Sequence, residues 1–299
     1  MKATAPALEQ KGVCTTTTKT KYGDHLIPAE IMQKEGEEPA FRFSAASCGI
    51  NASWVLLPVT TLHPQAEELP THSHRFHQFI NWFGADLADI SKFDAEGFIC
   101  LGEEQERHIV NTPTVQNLPP GTPHCPGGWL RVGKPIYHLD IFFAGEWKKE
   151  DVTVLDVPAR QTEGTRYSKH LIPAPIAIAR NGPPVKNLHF PAKDYGIGAG
   201  WFVLPVLEPR VMEDNPHKHD FPQFFCYLGS NPKNLAEFDA EIEVYLGEEG
   251  EKHVITSPTV LYISPGLVHC PMIYKKVNRP VMHLDIYFTE DYGRIPAAR

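Results

Sequence analysis

The sequence predicts an all-β protein made of two copies of one unit, a barrel or sandwich of short strands, and three observations predict it. The first is a tandem repeat: His72-Ser73-His74 with Gln78 returns as His217-Lys218-His219 with Gln223, at an offset of 145 (217 − 72). Self-similarity at one fixed offset marks a duplicated structural unit. The second is the character of the runs. Stretches such as Glu241-Ile-Glu-Val-Tyr-Leu246 and Pro280-Val-Met-His-Leu-Asp-Ile-Tyr-Phe288 are short and often alternate, as strands do. The third is punctuation: 28 prolines and 22 glycines spread over 299 residues favour turns over long helices.

In chain order, residues 1–21 lack periodicity and read as an arm, disordered or laid across a neighbouring surface. The first unit covers 22–146 and opens with Tyr22-Gly-Asp-His25-Leu-Ile-Pro-Ala; the second covers 167–292 and opens with Tyr167-Ser-Lys-His170-Leu-Ile-Pro-Ala. His25 and His170 are expected to pack between the units. Trp54-Val-Leu-Leu-Pro58 and Trp201-Phe-Val-Leu-Pro205 are strands whose offset is 147 (201 − 54), so the first unit has the longer loop before its histidine motif, at 61–70. That difference predicts two sites unlike in access or substrate. Short helices are expected around 87–93 and 234–238. Residues 147–166 read as a polar connection and 293–299 as a C-terminal tail.

The formal net charge of −8 and the absence of a basic stripe argue against a nucleic-acid partner. No apolar run approaches the roughly 18–20 residues of a membrane span, and the N-terminus lacks the apolar core of a secretory signal. The expectation is a cytoplasmic protein with no membrane partner. Six cysteines form no Cys-x-x-Cys pair and read as free thiols. No P-loop and no Gly-x-Ser-x-Gly elbow is present.

In a strand, His72 and His74 face one way, as do His217 and His219, and each pair can converge on one ion. Gln78 and Gln223 follow after an irregular step and can re-enter the same space. His124 and His269, each just after a Pro-Gly turn, supply a third imidazole. Twelve of the 15 histidines form six pairs at the common offset, while exchangeable neighbours differ, such as Ser73 and Lys218. Three neutral nitrogens and a carboxamide oxygen leave positions open on a divalent ion, the arrangement of a catalytic site.

These motifs resemble those of the cupin superfamily, in which His-x-His with a later Glu or Gln is followed by Pro-x-Gly-x-x-His. The second motif stands as Pro119-Pro-Gly121-Thr-Pro-His124 and as Ser264-Pro-Gly266-Leu-Val-His269, where Ser replaces the leading Pro. The resemblance covers 22–146 and 167–292 and implies a bicupin, two tandem cupin-type jelly-roll β-barrels with one divalent ion each. Iron(II) is the favoured ion, with zinc, manganese and nickel as alternatives. The family usually carries Glu where this chain has Gln78 and Gln223.

His138 and Asp140, and His283 and Asp285, alternate along a strand. Functionally they are acid/base groups beside the metal; the preferred reading makes them polar pairs on an outer or inter-barrel face. Cys125 and Cys270 should point away from the ion by alternation. Phe76, Trp82, Phe221 and Tyr227 could wall a substrate pocket, although such residues are more often core. The function expected first is a metal-dependent dioxygenase or other oxidoreductase acting on a small organic molecule. A non-redox isomerase, lyase or cyclase is the alternative, and a small-molecule-binding protein without turnover is the third. Further association into a homo-oligomer is possible.

Overall fold

The computed structural model describes residues 20–34, 37–62, 69–155, 166–179 and 184–298. Most of the arm, the middle of the longer loop and the central connection lie outside these residues. Among the described residues, no helix is long and apolar enough to cross a membrane.

Each barrel pairs a large with a small antiparallel sheet. In the first, the large sheet runs Leu171–Pro173, Thr114–Leu118, Gln78–Gly84, Ile136–Phe142, Ser53–Val59, Ala40–Ser44, Ile31–Met32. The small sheet runs Glu150–Asp151, His72–Ser73, His124–Val132, Ala95–Leu101, Glu106–Val110. The second barrel repeats this order and adds one strand to its small sheet, Arg210–Glu213, which pairs with His269–Val277. One strand of each unit is exchanged. Leu26–Pro28 pairs with Thr259–Ile263 of the second barrel, and Leu171–Pro173 with Thr114–Leu118 of the first. His25 and His170 sit at these exchanged strands and donate through Nδ1 to Tyr262 O and Asn117 O of the opposite unit, both at 2.7 Å.

The large sheets face each other. Strand Gln78–Gly84 is buried on both faces. Phe79 and Phe83 enter the core shared by the barrels, and Ile80 and Trp82 enter the barrel interior. Strand Gln223–Gly229 divides likewise: Phe224, Cys226 and Leu228 against Phe225 and Tyr227. Trp54, Phe79, Trp201 and Phe224 are fully buried at the junction, and aromatics of this size each hide roughly 150–250 Å². Asn81 supplies a polar clamp there, accepting from Trp201 Nε1 at 2.9 Å and donating to Leu139 O at 3.1 Å.

The segments at 87–93 and 234–238 are turns, not helices. Asp86 Oδ1 accepts from Ala88 N, Asp89 Oδ1 from Ser91 N, and Asn234 Oδ1 from Ala236 N. Side chains of this type compete with helical hydrogen bonding and hold the backbone in turns. Glu150–Asp151, read as connection, and Ile295–Pro296, read as tail, each form a strand against the histidine strand of their barrel.

Candidate metal centre

His72 lies directly across from His124 in the small sheet, and His217 from His269. His74 follows on the face of His72. The Pro-Gly turn ties the third histidine in: Gly121 N–H donates to His74 O, and Gly266 N–H to His219 O, both at 2.7 Å. These glycines have φ of +78° and +82°, a left-handed turn that a Cβ would strain. The ring centroids stand 5.0 Å (His72–His74), 4.4 Å (His72–His124) and 5.0 Å (His74–His124) apart. In the second barrel the corresponding distances are again 5.0, 4.4 and 5.0 Å.

All six rings spend Nδ1 on a backbone carbonyl. His72, His74 and His124 donate to Pro70, Lys148 and Thr122; His217, His219 and His269 donate to Asn215, Gly293 and Leu267. A carbonyl only accepts, so Nδ1 carries the proton and Nε2 presents its lone pair. This is how metal-ligating imidazoles are commonly oriented. Burial lowers the pKa of His124 and His269 to about 3, keeping them neutral as ligation requires.

Gln78 and Gln223 complete the sets. Gln78 Nε2 donates to Asp140 Oδ2 at 2.9 Å, and Gln223 Nε2 to Asp285 Oδ1 at 2.9 Å. The carboxamide oxygens are thereby left toward the histidines. His74 Nε2, His219 Nε2, Gln78 Oε1 and Gln223 Oε1 are buried without a hydrogen-bond partner. Each such orphan costs roughly 1–3 kcal/mol. In the first barrel the donor atoms of His72, His74 and His124 lie within 4.8 Å of one another, so one divalent cation would satisfy the nitrogen and the oxygen together and the donors fit a metal ion; in the second barrel the group at that spacing is His217, His269 and Cys270, and His219 is not part of it.

His138, Asp140, His283 and Asp285 do not lie on an outer face. They line the same cavities as the histidines. Leu139 and Ile141 take the inter-barrel side of this strand, which turns its polar residues inward. Burial, opposed by the glutamine amide, raises Asp140 and Asp285 to about 7. Burial lowers His138 to about 4 and His283 to about 3. Trp82 Nε1 donates to His138 Nδ1 at 3.0 Å, whereas Tyr274 takes that place beside His283 at 2.7 Å.

Cys125 and Cys270 also depart from expectation, each lining its cavity at a backbone φ of +72°. The Cys270 sulfur and donor nitrogens of His217 and His269 lie within 4.8 Å of one another. The left-handed backbone breaks the strand alternation on which the outward reading rested. Of the aromatic candidates, Trp82 lines its cavity. Phe76 and Phe221 instead stack on His74 and His219, with centroids 4.6 Å away, and Tyr227 is core.

Trp147 and Tyr292 escaped the sequence reading. Trp147 stands 5.0 Å from the His74 ring, and Tyr292 5.1 Å from that of His219. Tyr292 OH also accepts from Gln223 Nε2 at 3.0 Å. Both aromatics keep the 145-residue offset (292 − 147), a signal hidden because one was read as connection and the other as the unit's edge. The cavities measure about 240 Å³ in the first barrel and 250 Å³ in the second.

No family model matches the sequence, and no curated protein matches it. Solved structures do resemble it. One, concerned with the substrate binding mode and reaction specificity of oxalate decarboxylase, has a TM-score of 0.56 at 11% identity, over 91% of this chain and 78% of that one. The Bacillus subtilis oxalate decarboxylase, described by its Mn(II) centres, gives the same values. The structure of the Bacillus subtilis enzyme at pH 4.6 has a TM-score of 0.54, also at 11% identity and the same coverage. With two antiparallel barrels in one polypeptide, this chain shares the two-barrel fold of these oxalate decarboxylase structures, the architecture that the bicupin resemblance of its motifs implied.

Proposed function

We propose that the chain is a metal-dependent enzyme acting on a small organic molecule by non-redox proton-transfer chemistry, of lyase, isomerase or cyclase type. One divalent ion per barrel is held by His72, His74, Gln78 and His124, and by His217, His219, Gln223 and His269. The observation that carries the reading is the carboxyl at each cavity wall, half-buried Asp140 and buried Asp285, bonded to the ligand glutamine. When bound, the ion polarises a substrate oxygen as a Lewis acid. Asp140 keeps Oδ1 without a hydrogen-bond partner, an atom able to hold or accept a proton beside a substrate. The glutamine amide orients that carboxyl, and Trp147 and Tyr292 shield the ligand rings from water.

Manganese is the first metal to test, because the Bacillus subtilis oxalate decarboxylase that shares this fold is described by Mn(II) centres. Iron(II), favoured from sequence, and zinc or nickel are the alternatives. A dioxygenase remains the competing reading, because neutral ligands leave an ion open to O₂ and substrate together. Turnover of carboxylic acids and hydroxy ketones by manganese-loaded and iron-loaded protein, with and without oxygen, separates the two. Equal turnover without oxygen supports the proposal. Strict oxygen dependence overturns it in favour of the dioxygenase, and ligand retention without product makes the chain a binding protein.

A further inference from the structure

The cavities match in volume but not in lining. Beyond the ligands, the first barrel presents Ile80, Phe98, Ile99, Val110, Trp129 and Trp147, and the described residues lining it include no lysine or arginine. The second barrel has an apolar wall as well, of Phe202, Leu204, Met212, Phe225 and Met272, but adds Arg210, Glu213 and Arg294 to it. Arg210 and Glu213 belong to strand Arg210–Glu213, which pairs with His269–Val277 behind the third histidine. Arg294 lies beside Ile295–Pro296, the strand paired with His217–Lys218. It is ion-paired with Glu213.

The charges of these arginines reach the chemistry. Arg294 acts on His217, His219, His269 and Asp285, and Arg210 on His283. A ligand set of three imidazoles and a carboxamide contributes no negative charge, so only the cavity carboxyl, Asp140 or Asp285, offsets the +2 of a divalent ion. In the second barrel two guanidinium groups add to it, one of them ion-paired with Glu213. Guanidinium forks bind carboxylates with paired, charge-assisted hydrogen bonds. In the first barrel an anion would find the metal but lose its water against an apolar wall, which is costly.

We propose that the two barrels take different substrates: the second a small carboxylate held by Arg210 and Arg294, the first an uncharged planar molecule of similar size. This rests on the metal-centre reading. Glu213 is then a specificity residue that competes with the carboxylate for Arg294.

The test uses full-length protein loaded with Mn²⁺, with His74→Ala or His219→Ala leaving one barrel able to hold metal. Elemental analysis comes first, followed by calorimetric titration with benzoate and with benzyl alcohol. Benzoate should bind the His74→Ala protein at least roughly tenfold more tightly than the His219→Ala protein, with benzyl alcohol showing the reverse order. In the His74→Ala background, Arg210→Gln and Arg294→Gln should each weaken benzoate roughly tenfold or more, and Glu213→Gln should tighten it. The gain in Glu213→Gln keeps the test decisive if an arginine variant misfolds. Equal benzoate affinity in the two barrels, or no response to Arg294→Gln and Glu213→Gln, overturns the proposal while leaving the metal reading intact. Absence of bound manganese, iron, zinc and nickel overturns the metal reading itself, and this proposal with it.

Discussion

Gln78 and Asp140 share one hydrogen bond, Nε2 to Oδ2 at 2.9 Å, and it decides which end of the carboxamide faces the histidines. The pair also accounts for the departure from the usual glutamate. A carboxylate at 78 would meet a second carboxyl in a buried cavity, where like charges cannot both ionise without large cost. Gln78→Glu should therefore lower thermal stability and metal content in the first barrel. The double variant Gln78→Glu/Asp140→Asn, which restores a donor and an acceptor, should recover both. Failure of the second change to rescue the first would show that the pair is not the reason for glutamine.

Purified without chelators, the chain should carry two divalent ions, one per barrel. His74→Ala and His219→Ala should each remove one, and the double variant should remove both. Asp140→Ala, which unpins Gln78, should weaken metal in the first barrel roughly 10–100-fold and leave the second unchanged. Elemental analysis with competitive chelator titration reads all of these values.

Acid should act on the metal-free chain through two opposed sets of groups. His138 titrates at about 4 in the folded state against 6.5 normally, so below 6.5 the unfolded chain takes a proton that the folded chain refuses, and stability falls toward acid. Asp140 and Asp285, raised from 3.8 to about 7, work the other way. Their contribution is complete below 3.8 and is lost as pH rises through 7. The Asp140→Asn/Asp285→Asn variant removes the second contribution. Its urea midpoint should fall more steeply than that of the parent as pH drops from 6.5 to about 4. Parallel curves would refute this balance.

Asn81 binds the two barrels through Trp201. Asn81→Ala leaves a buried indole N–H unpaired and should cost roughly 1–3 kcal/mol. Trp201→Ala also empties the junction and should cost about 3–5 kcal/mol. Denaturant melts of metal-free protein measure both.

The duplication and the four proposed ligands of each barrel could be picked out because their residue types recur at one offset while their neighbours drift. The parity of His138 and Asp140 was legible too, but not its direction. Alternation says which residues share a face, and here neither face of the strand is open to bulk solvent: Leu139 and Ile141 are buried against the partner barrel, and the half-buried polar pair lines the cavity. Cys125 and Cys270 were misjudged because a left-handed φ inside a strand leaves no mark in its pattern. Arg210 and Arg294 were invisible as a pair, since strand pairing on either side of the histidines joins residues far apart in sequence.

The exchange of Leu26–Pro28 and Leu171–Pro173 has a consequence for descent. A lone unit lacks a strand of its own large sheet and offers one to a neighbour, so a single-unit ancestor would complete its barrels only by association. Fusing two such units makes completion independent of concentration. It also frees each copy to change without having to pair with an identical twin, and Trp82 beside His138 in one cavity and Tyr274 beside His283 in the other record that freedom.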